Sequence, residues 1–515
     1  MRTVKKVYLF PILRLRFIFV FLCIILTEVQ AQNHFWEQQY GANATLTGGA
    51  GISGLRDNTV LFYNPGEMGF IDIPRISLSA NLYGVEIVDL KNIAGTNLNA
   101  ESVRAQFFPQ FVGGSFEVKK FPRLKIFYGV LVRNRASVRY NVDYTMNYDV
   151  IKGAIGNELY RAKLGYDQAG TETWAGIGIG YRITDYLSCG LSIFGSYLNV
   201  ESSTNVAINA DALFIDSTNH IVPYTATSNE AATVRMDNIN LIFKLGLALD
   251  LKHWKVGVTA TLPSAHLWGT GSMSKLIEGY NLNIYSPDTT NVFAHPSFLA
   301  TDEQRKLDVN YKTVPSFGLG ITYQHRLVKI DLVAEYFLGA DYYDLMRGKD
   351  GAYIQPAAAY GGQPIQDFLL VRTHSTAICN VGIGATVKVT PKVKLLTGFR
   401  TDFNNKMNFL PYITGLGLNS LSTSYWHLMH FSLGTSYFKG ANDFTIGVSY
   451  AFGLAADRTQ VINFTSPVQD LWLRGKPANT VRTYVNAINI VIGYTYFFRG
   501  RAHSSAAAED QLKNW

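Results

Sequence analysis

Residues 74 to 498 contain many short segments in which apolar and polar side chains alternate with a period of two. In residues 443–452, every second side chain is apolar: Phe444, Ile446, Val448, Tyr450 and Phe452. Successive side chains of a β-strand point to opposite faces, so this pattern predicts strands with one apolar and one polar face. Strict alternation over about ten residues is typical of strands that cross a membrane.

About fourteen segments share this pattern. They are 74–84, 106–118, 124–140, 173–183, 187–200, 236–250, 253–262, 313–324, 328–339, 374–388, 393–403, 427–438, 441–452 and 484–498. An even number near this value lies within the range of bacterial outer-membrane barrels. The pattern therefore predicts an all-β protein, a transmembrane antiparallel β-barrel of about 14 strands over residues 74–498.

The connections between these segments alternate between short and long. Short turns include 119–123, 184–186 and 439–440, and the long connections are 85–105, 141–172, 201–235, 263–312, 340–373, 404–426 and 453–483. A barrel with short periplasmic turns and long external loops requires this order. A soluble sandwich has no such requirement, and structureless loops above about 15 residues are uncommon in compact domains.

The N-terminal 31 residues have the features of a secretory signal peptide. A basic start is followed by an apolar stretch at 17–26 and by a small-residue cleavage site at 29–31. No later apolar run reaches the about 18 residues that a membrane-spanning helix needs. We expect an exported chain that begins at Gln32, with a periplasmic tail at 499–515 after the last strand.

Composition and charge agree with a large barrel. Charged residues are 16 % of the chain and aromatic residues 13 %, whereas soluble domains contain about 25 % charged residues. The net charge is +8, but the basic residues are spread singly along the chain and form no run. We therefore expect no nucleic-acid binding.

Residues 40–70 are rich in glycine and alanine, which allow close approach of one backbone to another. The apolar run 60–63 precedes Asn64-Pro65-Gly66, which is a strong turn signal. One interpretation is a compact plug inside a larger structure, and the other is a glycine-rich connector.

The motifs in this stretch resemble the N-terminal hatch of the FadL family. They are the run at 46–51, Asp57-Asn58, and the run at 61–65, with Asn64-Pro65-Gly66 where the family usually has Asn-Pro-Ala. The resemblance implies a hatch at 32–73 inside a monomeric outer-membrane barrel. It also implies passive uptake of hydrophobic compounds such as long-chain fatty acids. By the same resemblance, the hatch or gating residues are Phe62, Tyr63, Asn64, Pro65 and Gly66.

Charged side chains opposite the apolar face are expected to point into the lumen, because Arg or Lys facing lipid costs about 2–4 kcal/mol at the midplane. They include the cations Arg133, Arg135, Lys394 and Arg400. One interpretation is a network that holds the hatch, and the other is a cation that binds a ligand carboxylate. Trp268, with Leu262, Leu267, Phe293 and Phe298, is a candidate for the access route from outside.

No motif indicates a cofactor or a metal. The glycines at 176, 178 and 180 lack nucleotide-loop spacing, and His427 and His430 fall on opposite faces of a strand. Ser264 and His266 lack a nucleophile elbow, so we expect no enzyme. The expected partners are a hydrophobic small molecule and outer-membrane lipids. The alternative function is a FadL-like shuttle or scaffold of a protein-secretion system, with a secretion-system partner and no small-molecule transport.

Overall fold

The structure is a computed structural model of the chain. It describes residues 34–151, 154–215, 219–282, 297–349, 351–353, 355, 364–365, 367–405, 413–414, 417–418, 426–455, 458–460, 462–469, 472–476 and 478–498. The predicted signal peptide and C-terminal tail lie outside these residues. None of the helices in the described part of the chain is both long and apolar enough to cross a bilayer.

In the described residues, two α-helices and one 3-10 helix precede the strands. They are α1 (Ala42–Leu46), α2 (Val60–Tyr63) and the 3-10 helix (Pro65–Phe70). The strands are β1 (Arg75–Lys91), β2 (Ala100–Glu117), β3 (Leu124–Tyr148), β4 (Glu158–Arg182), β5 (Leu187–Ile215), β6 (Ile221–Asp250), β7 (Trp254–Thr261), β8 (Ala265–Tyr280), β9 (Phe298–Asp308), β10 (Ser316–His325), β11 (Val328–Phe337), β12 (Ala340–Arg347), β13 (Ala352–Tyr353), β14 (Pro364–Ile365), β15 (Leu370–Ser375), β16 (Ile378–Thr390), β17 (Val393–Asp402), β18 (Ile413–Thr414), β19 (Gly417–Leu418), β20 (Trp426–Lys439), β21 (Asn442–Ala455), β22 (Arg458–Thr459) and β23 (Thr480–Phe497).

Fourteen antiparallel strands close into a barrel. In order around the wall they are β1 to β7, β10, β11, β16, β17, β20, β21 and β23, and β23 pairs with β1. Closure gives each of the fourteen strands a paired neighbour on both sides over at least part of its length. The predicted barrel of about 14 strands is confirmed.

The half of the barrel near the short turns has an apolar outer face. On β4, Ile177 is 63 % exposed and Ile179 is 47 % exposed, while Gly178 between them faces the lumen and contacts Leu61. Large apolar side chains alternate with small or polar inward ones in this way on the other strands too. This outer face is called the apolar belt below.

Four strands continue far past the belt and reverse their polarity. β5 has 29 residues, whereas about 9–11 tilted residues cross a bilayer. In its outer half, Val206 and Ile208 are fully buried on the inner face and Glu201 and Asn205 are exposed on the outer face. β3, β4 and β6 extend similarly, and together these parts are called the outer extension.

The predicted long connections at 141–172, 201–235 and 263–312 are therefore largely strands, and their interpretation as loops was wrong. Their alternation is real, but the polar face points outward and the segments are rich in Ser, Thr, Asn and Ala. The inner apolar face packs into a core with buried side chains from other outer segments, such as Phe464 and Leu473. The outer mouth of the barrel is filled by this core.

Candidate functional site

The N-terminal segment 34–74, called the inner segment, lies inside the barrel against inward-facing glycines of the wall. A Cβ added at Gly190 of β5 would overlap the carbonyl of Pro65. A Cβ at Gly246 of β6 would lie 2.6 Å from the backbone nitrogen of Gly66. Glycine thus lets the inner segment rest directly on the wall.

The predicted turn residues fix the inner segment to that wall. The Asn64 side chain accepts a hydrogen bond from the Gly66 N–H at 2.9 Å and donates to the carbonyls of Ile52 and Leu247 at 2.8 and 3.0 Å. A Cβ at Gly66 would lie 2.7 Å from the Leu247 carbonyl carbon. Glycine at position 66, where the FadL family usually has alanine, therefore matches a close approach to β6.

An aromatic cluster lies at the contact between the inner segment and β4–β5. The Phe62 ring centroid is 4.5 Å from that of Tyr40, 5.8 Å from that of Trp174 and 6.5 Å from that of Phe194. The Tyr63 hydroxyl accepts a hydrogen bond from the Tyr40 N–H at 2.8 Å. All five side chains are buried, so the cluster is an apolar core between the inner segment and the wall.

The wall beside this cluster is interrupted. Pairing between β2 and β3 ends at Phe111 and Leu131, and β3 has a β-bulge at Arg133 against β4. Phe111 and Leu131 pack in the same apolar cluster as Phe62. Phe107 on β2 is 63 % exposed on the outer face. The interruption therefore lies within the apolar belt and adjoins the aromatic cluster.

Arg133 joins the inner segment to the edge of this interruption. Its guanidinium lies 5.4 Å from the Phe62 ring centroid and 5.5 Å from that of Trp174, at cation–π distance. It also donates to the Phe35 carbonyl, and the Tyr40 hydroxyl donates to the Arg133 carbonyl at 3.1 Å. The cation is thus engaged by the inner segment.

Arg400 is engaged in the same way on the other side of the lumen. It donates to the carbonyls of Trp36 and Glu37 at 3.1 and 3.0 Å. The Trp36 indole N–H donates to a Glu335 carboxylate oxygen at 2.9 Å, and the Trp36 backbone N–H donates to Asp402 at 3.0 Å. These contacts favour the interpretation of the lumen charges as a network that holds the inner segment.

Glu37 and His34 are among the groups of the inner segment whose pKa values are raised. Burial, together with the nearby carboxylate of Glu86, raises the pKa of Glu37 to about 7, although Arg104 opposes the shift. Burial lowers the pKa of His34, but the ion pair with Asp402, at 3.2 Å, outweighs it and the net shift is upward. Both groups favour their protonated forms when the segment is docked.

The other predicted ligand-binding residues lie elsewhere. Arg135 is two residues past the bulge, and its carbonyl accepts a hydrogen bond from Arg104 at 3.4 Å. Lys394 lines a cavity at the short-turn end, and Trp268 is 49 % exposed on β8. The structure brings Arg133 together with Phe62 and Tyr63, and it does not gather all the predicted residues into one site.

The candidate residues for the access route differ in their exposure to solvent. Leu262 and Leu267 are exposed, but Phe298 is buried and its ring centroid lies 4.9 Å from that of Trp472. The assignment of Phe298 to an exposed access patch is therefore wrong. Phe293 lies outside the described residues.

A second interruption separates the β7–β10 pairing from the β8–β9 pairing. The chain after β9 turns inward there, where the Tyr311 carbonyl accepts a hydrogen bond from Asn240 at 2.9 Å. The Thr313 N–H donates to the Ser264 hydroxyl oxygen at 2.9 Å. This second interruption is covered from inside by the chain that follows β9, whereas the one beside Arg133 is bordered by the inner segment and the aromatic cluster.

Sequence reasoning missed Tyr40, Trp174 and the interruption itself. The only signal for the bulge was the polar run Arg133-Asn134-Arg135, which breaks the alternation of β3. Tyr40 and Trp174 carried no signal, because buried aromatic residues are common in any apolar contact.

Comparison with solved structures shows which known barrels this architecture resembles. A FadL homologue of Pseudomonas aeruginosa matches with a TM-score of 0.51 and 13 % identity, over 92 % of this chain and 100 % of that chain. The chain has a FadL-like fold. The Pseudomonas putida toluene transporter TodX aligns with this FadL-like barrel with a TM-score of 0.48 and 14 % identity, over 92 % and 100 % of the two chains. No family model and no curated protein sequence matches the chain.

Proposed function

We propose that this FadL-like barrel is a monomeric channel of the bacterial outer membrane for passive uptake of hydrophobic compounds, such as long-chain fatty acids. The hydrophobic ligand and the outer-membrane lipids are its partners, and no nucleotide, metal or covalent step is needed. The apolar belt would lie in the bilayer, and residues 1–31 would direct export.

The observation that carries this proposal is the interruption between β2 and β3 beside the aromatic cluster. The inner segment fills the lumen along the barrel axis, so an apolar molecule that reaches Phe62 and Trp174 meets a blocked path ahead. Beyond Phe111 and Leu131 the described residues of β2 and β3 form no ladder pairs, and the Arg139 N–H donates to the Ser102 hydroxyl farther out at 3.0 Å. The bilayer would lie directly outside this part of the wall. A sideways exit is then the shortest path into an apolar phase.

The driving force for such an exit is the transfer of the ligand from water to lipid. Burial of apolar surface contributes about 0.8 kcal/mol per CH₂, so a long alkyl chain moves down its gradient without coupled energy. Phe62, Tyr63, Asn64, Pro65 and Gly66 act as the gating residues in this proposal. Phe62 packs in one cluster with Phe111 and Leu131 beside the interruption, and Asn64 and Gly66 anchor the same short segment to β6. Arg133 holds them closed through Phe62 and Phe35.

Uptake into liposomes with a lipopolysaccharide outer leaflet tests the proposal, because that leaflet slows spontaneous passage. Protein-containing liposomes should accumulate a fluorescent long-chain fatty acid several-fold faster than empty ones. They should show no comparable gain for a hydrophilic dye of similar size. Uptake equal to that of empty liposomes would contradict transport, and co-purification of secreted proteins with an inactive barrel would instead support the shuttle or scaffold function.

A further inference from the structure

The short-turn end of the barrel contains a cavity of about 320 Å³ beneath the inner segment. Its lining includes the β10–β11 turn at Arg326 and Leu327, and inner-segment residues such as Thr47 and Leu55 form its other wall. The C-terminal end of the described chain and the start of β1 lie at this side, where the Phe498 N–H donates to the Pro74 carbonyl. In the function proposed above, this end faces the periplasm.

Positive charge dominates this cavity, which is called the short-turn cavity. Eight lining residues are basic and two are acidic: Arg56, Arg75, Arg182, Lys255, Arg326, Lys329, Lys388 and Lys394 against Asp72 and Asp250. Some of this charge is compensated locally. Arg182 pairs with Asp72 at 2.6 Å, Lys255 pairs with Asp250 at 3.1 Å and Lys329 pairs with Asp331 at 3.0 Å.

The excess remains after the acids behind the lining are included. Glu67 pairs with Arg56, Asp57 lies near Arg75, and Asp331 and Asp443 lie near the lysines on β11 and β17. With these four carboxylates added, the eight basic residues still outnumber the six acidic ones. A concave site with excess charge of one sign concentrates ligands of the opposite sign.

The basic residues are distributed around the mouth. They come from the inner segment, β1, β4, β7, the β10–β11 turn, β11, β16 and β17. A ligand with several carboxylates spaced along a chain can approach many of these cations at once, whereas a single small anion cannot. The bilayer lies on the opposite face of these strands, so a lipid head group does not fit the position.

We propose that the short-turn cavity docks an acidic peptide segment of a periplasmic protein. Carboxylates of the segment would pair with Arg and Lys around the mouth, and the complementary charge would speed association and fix the register. The proposal does not depend on whether the barrel transports a ligand, because the inner segment separates this cavity from the aromatic cluster.

Fluorescence anisotropy of a dye-labelled hexaglutamate peptide, with the full barrel in neutral detergent, tests this proposal. The peptide should bind at low salt, and binding should weaken about tenfold between about 0.05 and 0.3 M salt. A hexaglutamine peptide should not bind. Absence of hexaglutamate binding at low salt would overturn the proposal.

The variant that tests the location combines Lys329→Gln, Lys388→Gln and Lys394→Gln. Its matched control combines Arg139→Gln, Lys163→Gln and Arg235→Gln, which remove the same charge from exposed positions of the outer extension. We expect binding to weaken at least about tenfold in the first variant and less than about twofold in the control. Equal weakening in both would assign the binding to net charge and overturn the site.

Arg326→Gln provides a second variant that does not depend on the fold of the wall, because Arg326 is exposed in a turn. It should weaken binding of the hexaglutamate peptide by about twofold to fourfold, and the heat-modifiable migration of the barrel should be unchanged.

Competition with inorganic phosphate tests whether the site binds small anions equally well. If phosphate displaces hexaglutamate at an equal anion concentration, the site binds small anions only and the peptide proposal fails.

Discussion

At the scale of single residues, the absence of a side chain is as informative as its presence. Gly190 faces the lumen and leaves no space for a Cβ beside Pro65, whereas Gly195 on the same strand faces outward, with its nearest contact at 3.9 Å. The two glycines have the same backbone role in β5. A comparison of substitutions at the two positions therefore tests the contact between the wall and the inner segment separately from the effect on the strand.

We predict that Gly190→Val loosens the inner segment and that Gly195→Val does not. Overpacking at position 190 should destabilise the docked segment by about 1–3 kcal/mol, while valine at position 195 should be neutral or favourable to the strand. Hydrogen exchange of residues 60–70 measures the difference. Equal protection in both variants would contradict direct packing of Pro65 on the wall.

The pKa of Glu37 gives a second prediction at this scale. Its pKa is about 7 in the docked segment and about 4.5 when free, so docking binds a proton between these values. The contribution of Glu37 to docking should therefore be complete below about pH 4.5 and be lost as the pH rises through about 7. The raised pKa of His34 acts in the same direction. Its contribution to docking is complete below its ordinary pKa of 6.5 and is lost at higher pH.

Hydrogen exchange of residues 35–41, corrected for intrinsic rates, should show protection that falls between pH 5 and pH 8. Glu37→Gln should remove most of the pH dependence of protection below pH 7, because the amide does not titrate. Glu201→Gln, at an exposed position of the outer extension, is the control and should leave the pH dependence unchanged. A full pH dependence in Glu37→Gln would rule out this carboxyl as its source.

At the scale of elements, the distinctive feature is a wall strand that loses one neighbour partway along its length. β3 pairs with β4 along its whole length, but with β2 only from Phe111 to Glu117. Continuation of that register would place Phe107 opposite Arg135. Both positions lie at the interruption, so a bridge between them spans the proposed exit.

We predict that a reducible cross-link between Phe107→Cys and Arg135→Cys slows uptake at least several-fold. The background carries Cys189→Ser and Cys379→Ser, which remove the free thiols of the described chain. The control bridge joins Leu433→Cys and Val448→Cys, which are already paired partners in the intact β20–β21 ladder. Reduction should restore uptake in the first case, and a first bridge without effect would exclude this exit.

The elements also show what the sequence could predict. The belt strands followed from alternation, because lipid on one side and a filled lumen on the other impose opposite polarity on Ile177 and Gly178. The outer extension was missed because its polarity is reversed and its composition is typical of loops. The inner segment was indicated by Asn64-Pro65-Gly66. Its hydrogen bonds with Arg133 and Arg400 join residues 98 and 364 positions apart, which no local pattern reports.

At the scale of the whole molecule, the two polarity patterns define how the barrel lies relative to the bilayer. The belt has Ile177 outward, and the outer extension of the same strand has Arg161 outward, paired with Asp211. Sixteen residues separate them in β4, which is about 54 Å along a strand at about 3.4 Å per residue. With a tilt of about 45°, the height difference is about 38 Å, which exceeds the about 30 Å thickness of a hydrocarbon core.

We therefore predict that spin labels at Ile177→Cys and Arg161→Cys, in the background without Cys189 and Cys379, report different environments in a bilayer. The label at position 177 should collide with oxygen, which concentrates in lipid, and the label at position 161 with a water-soluble nickel complex. Gly195→Cys on the neighbouring strand pairs with Ala175 within the belt and should behave like position 177. If position 161 also reports lipid, the outer extension is embedded, and the reversed polarity of β3 to β6 would need a cause other than water.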